Sequence, residues 1–534
     1  MRKIVVAAIA AALPMGVMAQ GAFNAYTLSQ SDLRGTARFM SMAGAFGALG
    51  GDLSTLNQNP GGIGVYRSSE IGVTLDIDME KSDVGGQTDS KTHAYCPNFG
   101  YIGAINLDSD VMPYFQWGVS YGRVASFDRI YSGGFGELGT SMSNYVANAR
   151  AYGIAPDVLG QSTTYNPYNR SNADWLSILS FNSYIINSVG GLSQYNGLFD
   201  ENQTSGNAQF AVRQRGYVDE YAINFGGNIM NTVYWGFGFG ITDIDLKEEA
   251  FYDEELTNAR IAKNEGMGSP IVNGNAYYGL SNYRRVSGSG FNFKIGAIVK
   301  PINEFRFGIA VHTPTYYNLN DKYESSIGYS YSQPQSSIPD GTAYTDFADY
   351  DWKLRTPWKM IVSAAGVIGG RFILSADYEF AAYDNMRISD YDGNEYKDAT
   401  QEIKDYFKPT HTMRIGTEYR ITPQFSVRAG FSQSTSAVEK AVKDGDIEVY
   451  TTGCNPAYTF DTTTRYITLG LGYRYKGFYA DLAYVNKYRK SQYSPFSSYE
   501  DLAYADPSNS WVYNPAAEFT TTNNNIVISV GYKF

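Results

Sequence analysis

About fourteen segments of this chain alternate large apolar residues with small or polar ones at a period of two, and the links between them are short and long in turn. The first clear one is Glu70 to Met79, where Ile71, Val73, Leu75, Ile77 and Met79 interleave with Gly72, Thr74, Asp76 and Asp78. The last is Asn525 to Phe534, with Ile526, Ile528, Val530, Tyr532 and Phe534 on one face. Successive side chains of a strand point to opposite sides, so each segment carries one face for lipid and another for something polar. Similar segments lie near Tyr95 to Leu107, Phe115 to Ala125, Val218 to Ile229, Tyr234 to Lys247 and Ser287 to Val299. Others fall near Phe305 to Thr313, Trp358 to Val367, Arg371 to Phe380, Thr412 to Ile421, Phe425 to Gln433, Tyr466 to Tyr475 and Phe478 to Asn486.

Short links near residues 108–114, 230–233, 301–304, 368–370, 422–424 and 476–477 alternate with long ones, of which Ser126 to Tyr217 is the longest. One rim with tight turns and another with long loops is the layout of an outer-membrane barrel with both termini in the periplasm. A soluble β-sandwich or propeller would not need that order. Trp117, Trp235, Trp358, Tyr378, Tyr419, Tyr473 and Tyr532 stand at strand ends, where interfacial girdles place amphipathic rings.

Mean hydropathy is -0.31 and, beyond the amino terminus, no apolar run is long enough for a spanning helix, which leaves strands as the membrane option. Arg2 and Lys3, the apolar run Ile4 to Leu13 and Val17-Met18-Ala19 read as a secretory leader (residues 1–19) cut after Ala19. Losing those two cations takes the formal charge from -11 to -13, which argues against a nucleic-acid partner. No Cys follows the cut, so a lipid anchor is not expected. Cys96 and Cys454 lie near the outer rim, where the secreted setting permits a disulfide but does not require one.

Residues 25–68 do not alternate. They are rich in Ala, Gly and Met, fit to pack backbone into a confined space, and carry Phe39, Met40, Met42 and Phe46, which a loose linker would rarely hold. The run Arg38-Phe39-Met40-Ser41-Met42-Ala43-Gly44-Ala45-Phe46, then Asp52, then Asn59-Pro60-Gly61-Gly62 ahead of the first strand, resembles the hatch of the FadL/TodX outer-membrane transport family. Gly61 departs from the usual Ala. The motif covers about a tenth of the chain, and the strand count and terminal Phe534 extend the likeness over nearly all of it.

The resemblance implies a hatch over residues 20–68, a barrel over 69–534, and passive uptake of long-chain fatty acids or other hydrophobic molecules. Ligand would meet an apolar groove among the extracellular loops, enter the barrel and leave sideways through the wall beside a kinked third strand, because the hatch blocks the straight path. The aromatic end, Phe534, is implied to be read by the barrel assembly machinery, and the chain to act as a monomer in outer-membrane lipid.

These residues add candidates. Ser171 to Asp174 has capping-box spacing before the apolar run Trp175 to Ile186, which includes Ile178, Leu179 and Phe181 and stops at Gly190-Gly191. Leu138 to Tyr152 shows helical spacing and suits a partner helix. The pair is either a lid alone or a lid with a ligand groove. If Phe291, Phe293, Phe305, Phe307, Met413, Ile415, Phe425 and Val427 face lipid, then Lys294, Arg306, Arg414 and Arg428 point inward, with Lys359 beside them. Such a cluster could receive a carboxylate head group, or be neutralised by inward Asp377, Glu379 and Glu418. Gly118 and Gly122 are candidates for the kink in the third strand.

His93, His312 and His411 show no metal-ligand spacing, and no nucleophile elbow or phosphate loop occurs, so neither a metal nor a cofactor is expected. A haem receptor using His93, His411 or loop tyrosines, a porin for polar solutes and an outer-membrane ester hydrolase are the alternatives.

Overall fold

The computed structural model describes residues 21–451, 453–503 and 510–534. The expected leader and its cut after Ala19 lie outside them. Among the described residues, fourteen antiparallel strands close into a barrel. They are β1 (Glu70–Val84), β2 (Gln87–Asn106), β3 (Tyr114–Ser126), β4 (Ser205–Ile229), β5 (Val233–Ala262), β6 (Ile271–Ile302) and β7 (Phe305–His312). The wall continues with β8 (Lys359–Ile368), β9 (Phe372–Ala381), β10 (Thr410–Arg420), β11 (Phe425–Thr435), β12 (Tyr458–Tyr475), β13 (Phe478–Ser494) and β14 (Ala517–Lys533). β14 pairs with β1 from Lys533 opposite Glu70 to Phe519 opposite Val84, which closes the wall.

The lipid-facing positions hold as the alternation requires: Ile71, Val73, Leu75, Phe291, Phe307, Met413, Ile415 and Phe425 are exposed, while their neighbours point inward. Strands β4 to β6 run far longer than a membrane crossing needs; β6 has 32 residues against the roughly 9–11 that span lipid. Strand β5 shows why. Its outward face changes from Trp235, Phe237, Phe239 and Ile241 to Asp243, Asp245, Lys247 and Glu249, while its inward face changes from glycines to buried Ile244, Leu246, Ala250, Tyr252 and Leu256. Above the lipid the two faces exchange roles, and the strands continue as the wall of an extracellular cap with its own apolar core.

The longest loop fills that cap. Its helix, Trp175–Asn182, is shorter than expected, and Asp174 itself is the N-cap, accepting from the Ser177 amide at 3.1 Å. Ser171 instead closes the preceding turn on Pro167 O. Tyr184, at φ +59°, ends the helix, and Ile186–Ser188 enters a short strand. The partner helix is present as Met142–Tyr145, continued through Val146–Arg150.

Residues 21–66 lie inside the barrel. Helix Ala22–Ser29 sits in the upper half, and the short helices Ala37–Ser41, Thr55–Gln58 and Pro60–Val65 fill the lower half.

Candidate functional site

The lower segment fills the lower barrel and packs closely on the wall. A Cβ on Gly236, Gly296, Gly308 or Gly470 would fall well inside the van der Waals contact distance of Pro60 O, Asn59 Oδ1, Gly47 O or Ser41 Cβ, respectively. Inward glycines on successive strands therefore form a seat that side chains would obstruct. Polar bonds then fix the plug. Asp377 on β9 accepts from the Phe46 amide (3.1 Å), the Gly47 amide (2.9 Å) and Gln58 Nε2 (3.1 Å), and Arg306 on β7 donates to Leu49 O at 2.8 Å. His312 Nε2 meets Gln58 O at 2.7 Å. A neutral bond of this kind contributes about 0.5–1.5 kcal/mol net, and one to a charged group about 1.5–3 kcal/mol.

The expected hatch residues are all within this plug. Arg38 pairs with Glu418 at 3.0 Å and lies over the Phe46 ring, which packs on Phe39. Met40 and Met42 are buried against the wall. Asp52 accepts from Thr36 Oγ1 (2.7 Å) and the Ser54 amide (3.0 Å), tying one turn of the plug to the next. Asn59 donates to Gly47 O at 2.5 Å and accepts from the Gly61 amide at 3.0 Å, while Pro60 opens the helical turn that faces β5.

Above the plug is a cavity of about 280 Å³. Lys294, Lys359, Arg414 and Lys487 line it, and three of these cations have a carboxylate partner: Glu220 for Lys294, Glu379 at 2.7 Å for Arg414, and Asp32 for Lys487. Lys359 donates to Ser31 Oγ at 3.0 Å and, among the described residues, has no carboxylate within ion-pair distance. Burial would raise the Asp32 carboxyl, but Lys487 and then Arg34 outweigh it and hold it well below the usual carboxylate range. Arg306 and Arg428 are not part of this cavity: Arg306 holds the plug, and Arg428 is buried between Glu418 (2.7 Å) and Asp481 (2.6 Å). The expected basic cluster is thus split by height, because inward parity sets direction but not level.

Over the cavity, helix Ala22–Ser29 occupies an aromatic cage. Phe23 packs against Tyr458 and Phe407 with ring centroids 4.9 and 5.2 Å away, and Tyr26 stacks on Phe407 at 5.1 Å.

The wall beside the cavity is discontinuous. β2 and β3 pair from Asn106 opposite Tyr114 up to Asn98 opposite Gly122, and there the ladder stops. Pro97, which has no N–H to offer a ladder, sits at that end. β3 bulges between Arg123 and Ala125, breaks at Phe127 and Asp128, and resumes as Arg129–Phe135 paired only to β4. Above the break β2 meets this stretch through side chains: Arg123 over the Tyr95 ring (4.9 Å), Lys91 to Asp128 (3.1 Å), His93 to Asp128 (3.6 Å), and Ser132 Oγ to Asp89 (2.7 Å). Arg123 also binds Asp219 at 2.9 Å and stacks on Tyr217. The break is level with the top of the lipid band, since Gly122 aligns with Glu220 and Glu220 with Thr242, next to Ile241. Of the two expected kink residues, Gly122 is the last paired residue, whereas Gly118 lies in regular ladder opposite Ile102 and Asn224. Periodicity could not reveal the seam, which depends on which strands pair.

A family model described as "Outer membrane protein transport protein (OMPP1/FadL/TodX)" matches residues 203–520. The chain belongs to that family. It is therefore a barrel of the bacterial outer membrane and a non-enzymatic channel for hydrophobic molecules, in place of a polar-solute porin or an ester hydrolase. A Pseudomonas aeruginosa FadL homologue is similar over 94% of this chain and 99% of its own, at 12% identity and a TM-score of 0.49. The Pseudomonas putida toluene transporter TodX gives 94% and 99% coverage, 14% identity and 0.44, and the Ralstonia pickettii toluene transporter TbuX 94%, 99%, 12% and 0.46. No curated protein matches the chain.

The remaining candidates of this FadL/TodX-family channel fall elsewhere. Trp175, Ile178 and Leu179 are buried in the core of the cap and Phe181 packs on its edge against Tyr195. The histidines sit on three separate strands: His93 on β2 at the seam, His312 on β7 against the plug, and His411 on β10 beside Tyr378. Cys96 is exposed on β2 and Cys454 is buried in the cap, and the two are not joined.

Proposed function

We propose that this channel takes up long-chain fatty acids passively and releases them sideways through the seam between β2 and β3. The observation that carries this reading is the ladder break at Asn98 and Gly122, above a floor that the plug fills. A hydrophobe leaving there passes into lipid without rehydrating its tail, which would cost about 0.8 kcal/mol per CH₂. Lys359 supplies a cation for the head group, and the cage holding Phe23 and Tyr26 supplies apolar surface for the tail. A leader ending at Ala19, a hatch over residues 20–68, a barrel over 69–534, recognition of Phe534 by assembly machinery and a monomeric state belong to the same proposal.

The test is uptake of a long-chain fatty acid by proteoliposomes. Protein-dependent uptake is expected, and Lys359→Gln should raise the half-saturating concentration roughly tenfold, the worth of one charge-assisted hydrogen bond. No protein-dependent uptake, or an unchanged half-saturation, would contradict the reading.

A further inference from the structure

The outer side of the cap wall carries a trough of about 680 Å³ that transport through the barrel does not use. Its bed is one transverse row across neighbouring strands, in which Ser132, Ala211, Phe251, Ser281, Ser326 and Tyr344 each stand directly opposite the next. At about 4.8 Å between strands the row is about 24 Å long. Small side chains keep this bed low, and in the row above it Gly279 faces Gly328. A Cβ on Gly279 would lie 3.1 Å from the Phe251 ring, so the glycine lets that ring lie against the wall. In the row beneath, Tyr283 stands between Glu249 and Glu324, and Arg213 lies 3.8 Å from Glu249. Tyr344 is 66% exposed and Tyr283 36%.

Lipid does not reach these rings. Phe251 lies beyond Ile241, the last lipid-facing residue of β5, by about 33 Å along the strand, or about 25 Å in height at a barrel tilt near 40°. What stands at that height beside a barrel of the bacterial outer membrane is the sugar chain of the outer-leaflet glycolipid. We propose that the trough binds a saccharide chain of the surrounding lipopolysaccharide, with Phe251, Tyr283 and Tyr344 as stacking platforms and Arg213, Glu249 and Glu324 as hydrogen-bonding groups. The carbon-bound hydrogens on one side of a pyranose carry partial positive charge and suit the negative face of an aromatic ring, while its hydroxyls donate to carboxylates and accept from a guanidinium. Among the described residues Glu324 has no ion pair and the Tyr283 and Tyr344 hydroxyls have no hydrogen-bond partner, which leaves them for such hydroxyls. A hydrocarbon in the same place would strip water from the carboxylates and offer them nothing in return. A protein partner would first have to displace the glycolipid to reach the wall from the side. The site is independent of what the barrel transports.

Saturation-transfer NMR on the full protein in detergent tests this, with the oligosaccharide that mild acid releases from lipopolysaccharide as the probe, since it has lost its lipid anchor. Transfer to carbon-bound sugar protons is expected, with a dissociation constant below about 1 mM. Phe251→Ser combined with Tyr344→Ser should weaken binding at least roughly tenfold, whereas Tyr391→Ser, which removes an equally exposed ring outside the trough, should leave it unchanged. Should the double variant fail to assemble, Tyr344→Ser alone decides, with a weakening of about threefold. Absence of transfer in the native protein, affinity unchanged by the trough variants, or an equal loss in Tyr391→Ser would overturn the proposal. So would displacement of the oligosaccharide by a long-chain fatty acid, or a doubling of particle mass in light scattering that Tyr344→Ser abolishes, which would give the trough to a second copy of this chain.

Discussion

At the level of the plug, wall and hatch backbones touch, Pro60 O resting on Gly236 and Gly47 O on Gly308, and the buried Asp377 carboxylate collects two hatch amides. Along the seam between β2 and β3 the neighbouring strands meet through side chains, among them Arg123 on Tyr95, Lys91 on Asp128 and Ser132 on Asp89. The glycine contacts cannot loosen by rotating a side chain. The seam contacts can, because their members are partly solvated and each exposed pair contributes only about 0.2–1 kcal/mol. The barrel is thus tight along its axis, at the plug, and weak in its wall, at the break between β2 and β3.

Breaking the tight region should give the largest effect. Gly236→Val puts methyl groups where the Pro60 carbonyl lies, so the turn Pro60–Val65 must lift, and planar-bilayer recordings should show a steady ion leak that the native protein lacks. A silent bilayer from folded, inserted Gly236→Val would show that the seat is not needed for the seal. Loosening the weak region should do less to structure and more to selectivity. Arg123→Ala removes the contact with Tyr95 and the pair with Asp219, at about 1–2 kcal/mol, and should raise uptake of neutral hydrocarbons several-fold with no ion leak. A leak comparable to that of Gly236→Val would erase the distinction between floor and seam.

The smallest effect concerns the cap. Burial pushes the carboxyl of Glu402, on the extracellular helix Lys397–Tyr406, up to about 8 despite Arg150 nearby. Its folded value lies above the ordinary 4.5, so the folded state keeps a proton that the unfolded one releases. The stabilisation is complete below about pH 4.5 and is lost as the pH rises through about 8. Proteolysis of this helix should quicken over that window, and Glu402→Gln should flatten the dependence.

Much of this was legible in the sequence. Each expected strand is present, because lipid imposes a period of two on the outward face, and inward parity put Lys294, Arg306, Lys359, Arg414 and Arg428 on the correct side. Composition made it legible that Arg38 to Gly61 pack compactly instead of forming a loose linker. The upper halves of β4 to β6 were not, since the apolar face changes sides near Thr242 and looks like the end of a strand. The glycine seat escaped because strands were read one at a time; glycines recurring at inward positions in the lower half of successive strands were the available signal. The partners of the cations, the burial of Trp175 in the cap and the seam itself all depend on which strands stand side by side, and no single strand carries that information.

The most direct measurement closes the seam on purpose. In a Cys96→Ser background, His93→Cys and Asp128→Cys place thiols where the native side chains meet across β2 and the break in β3 at 3.6 Å, within reach of a short bis-thiol reagent. Lateral release requires that fatty-acid uptake by proteoliposomes fall to background on cross-linking and return when a cleavable linker is cut. Uptake that continues unchanged through a cross-linked seam would contradict it, and would send the ligand through the floor instead.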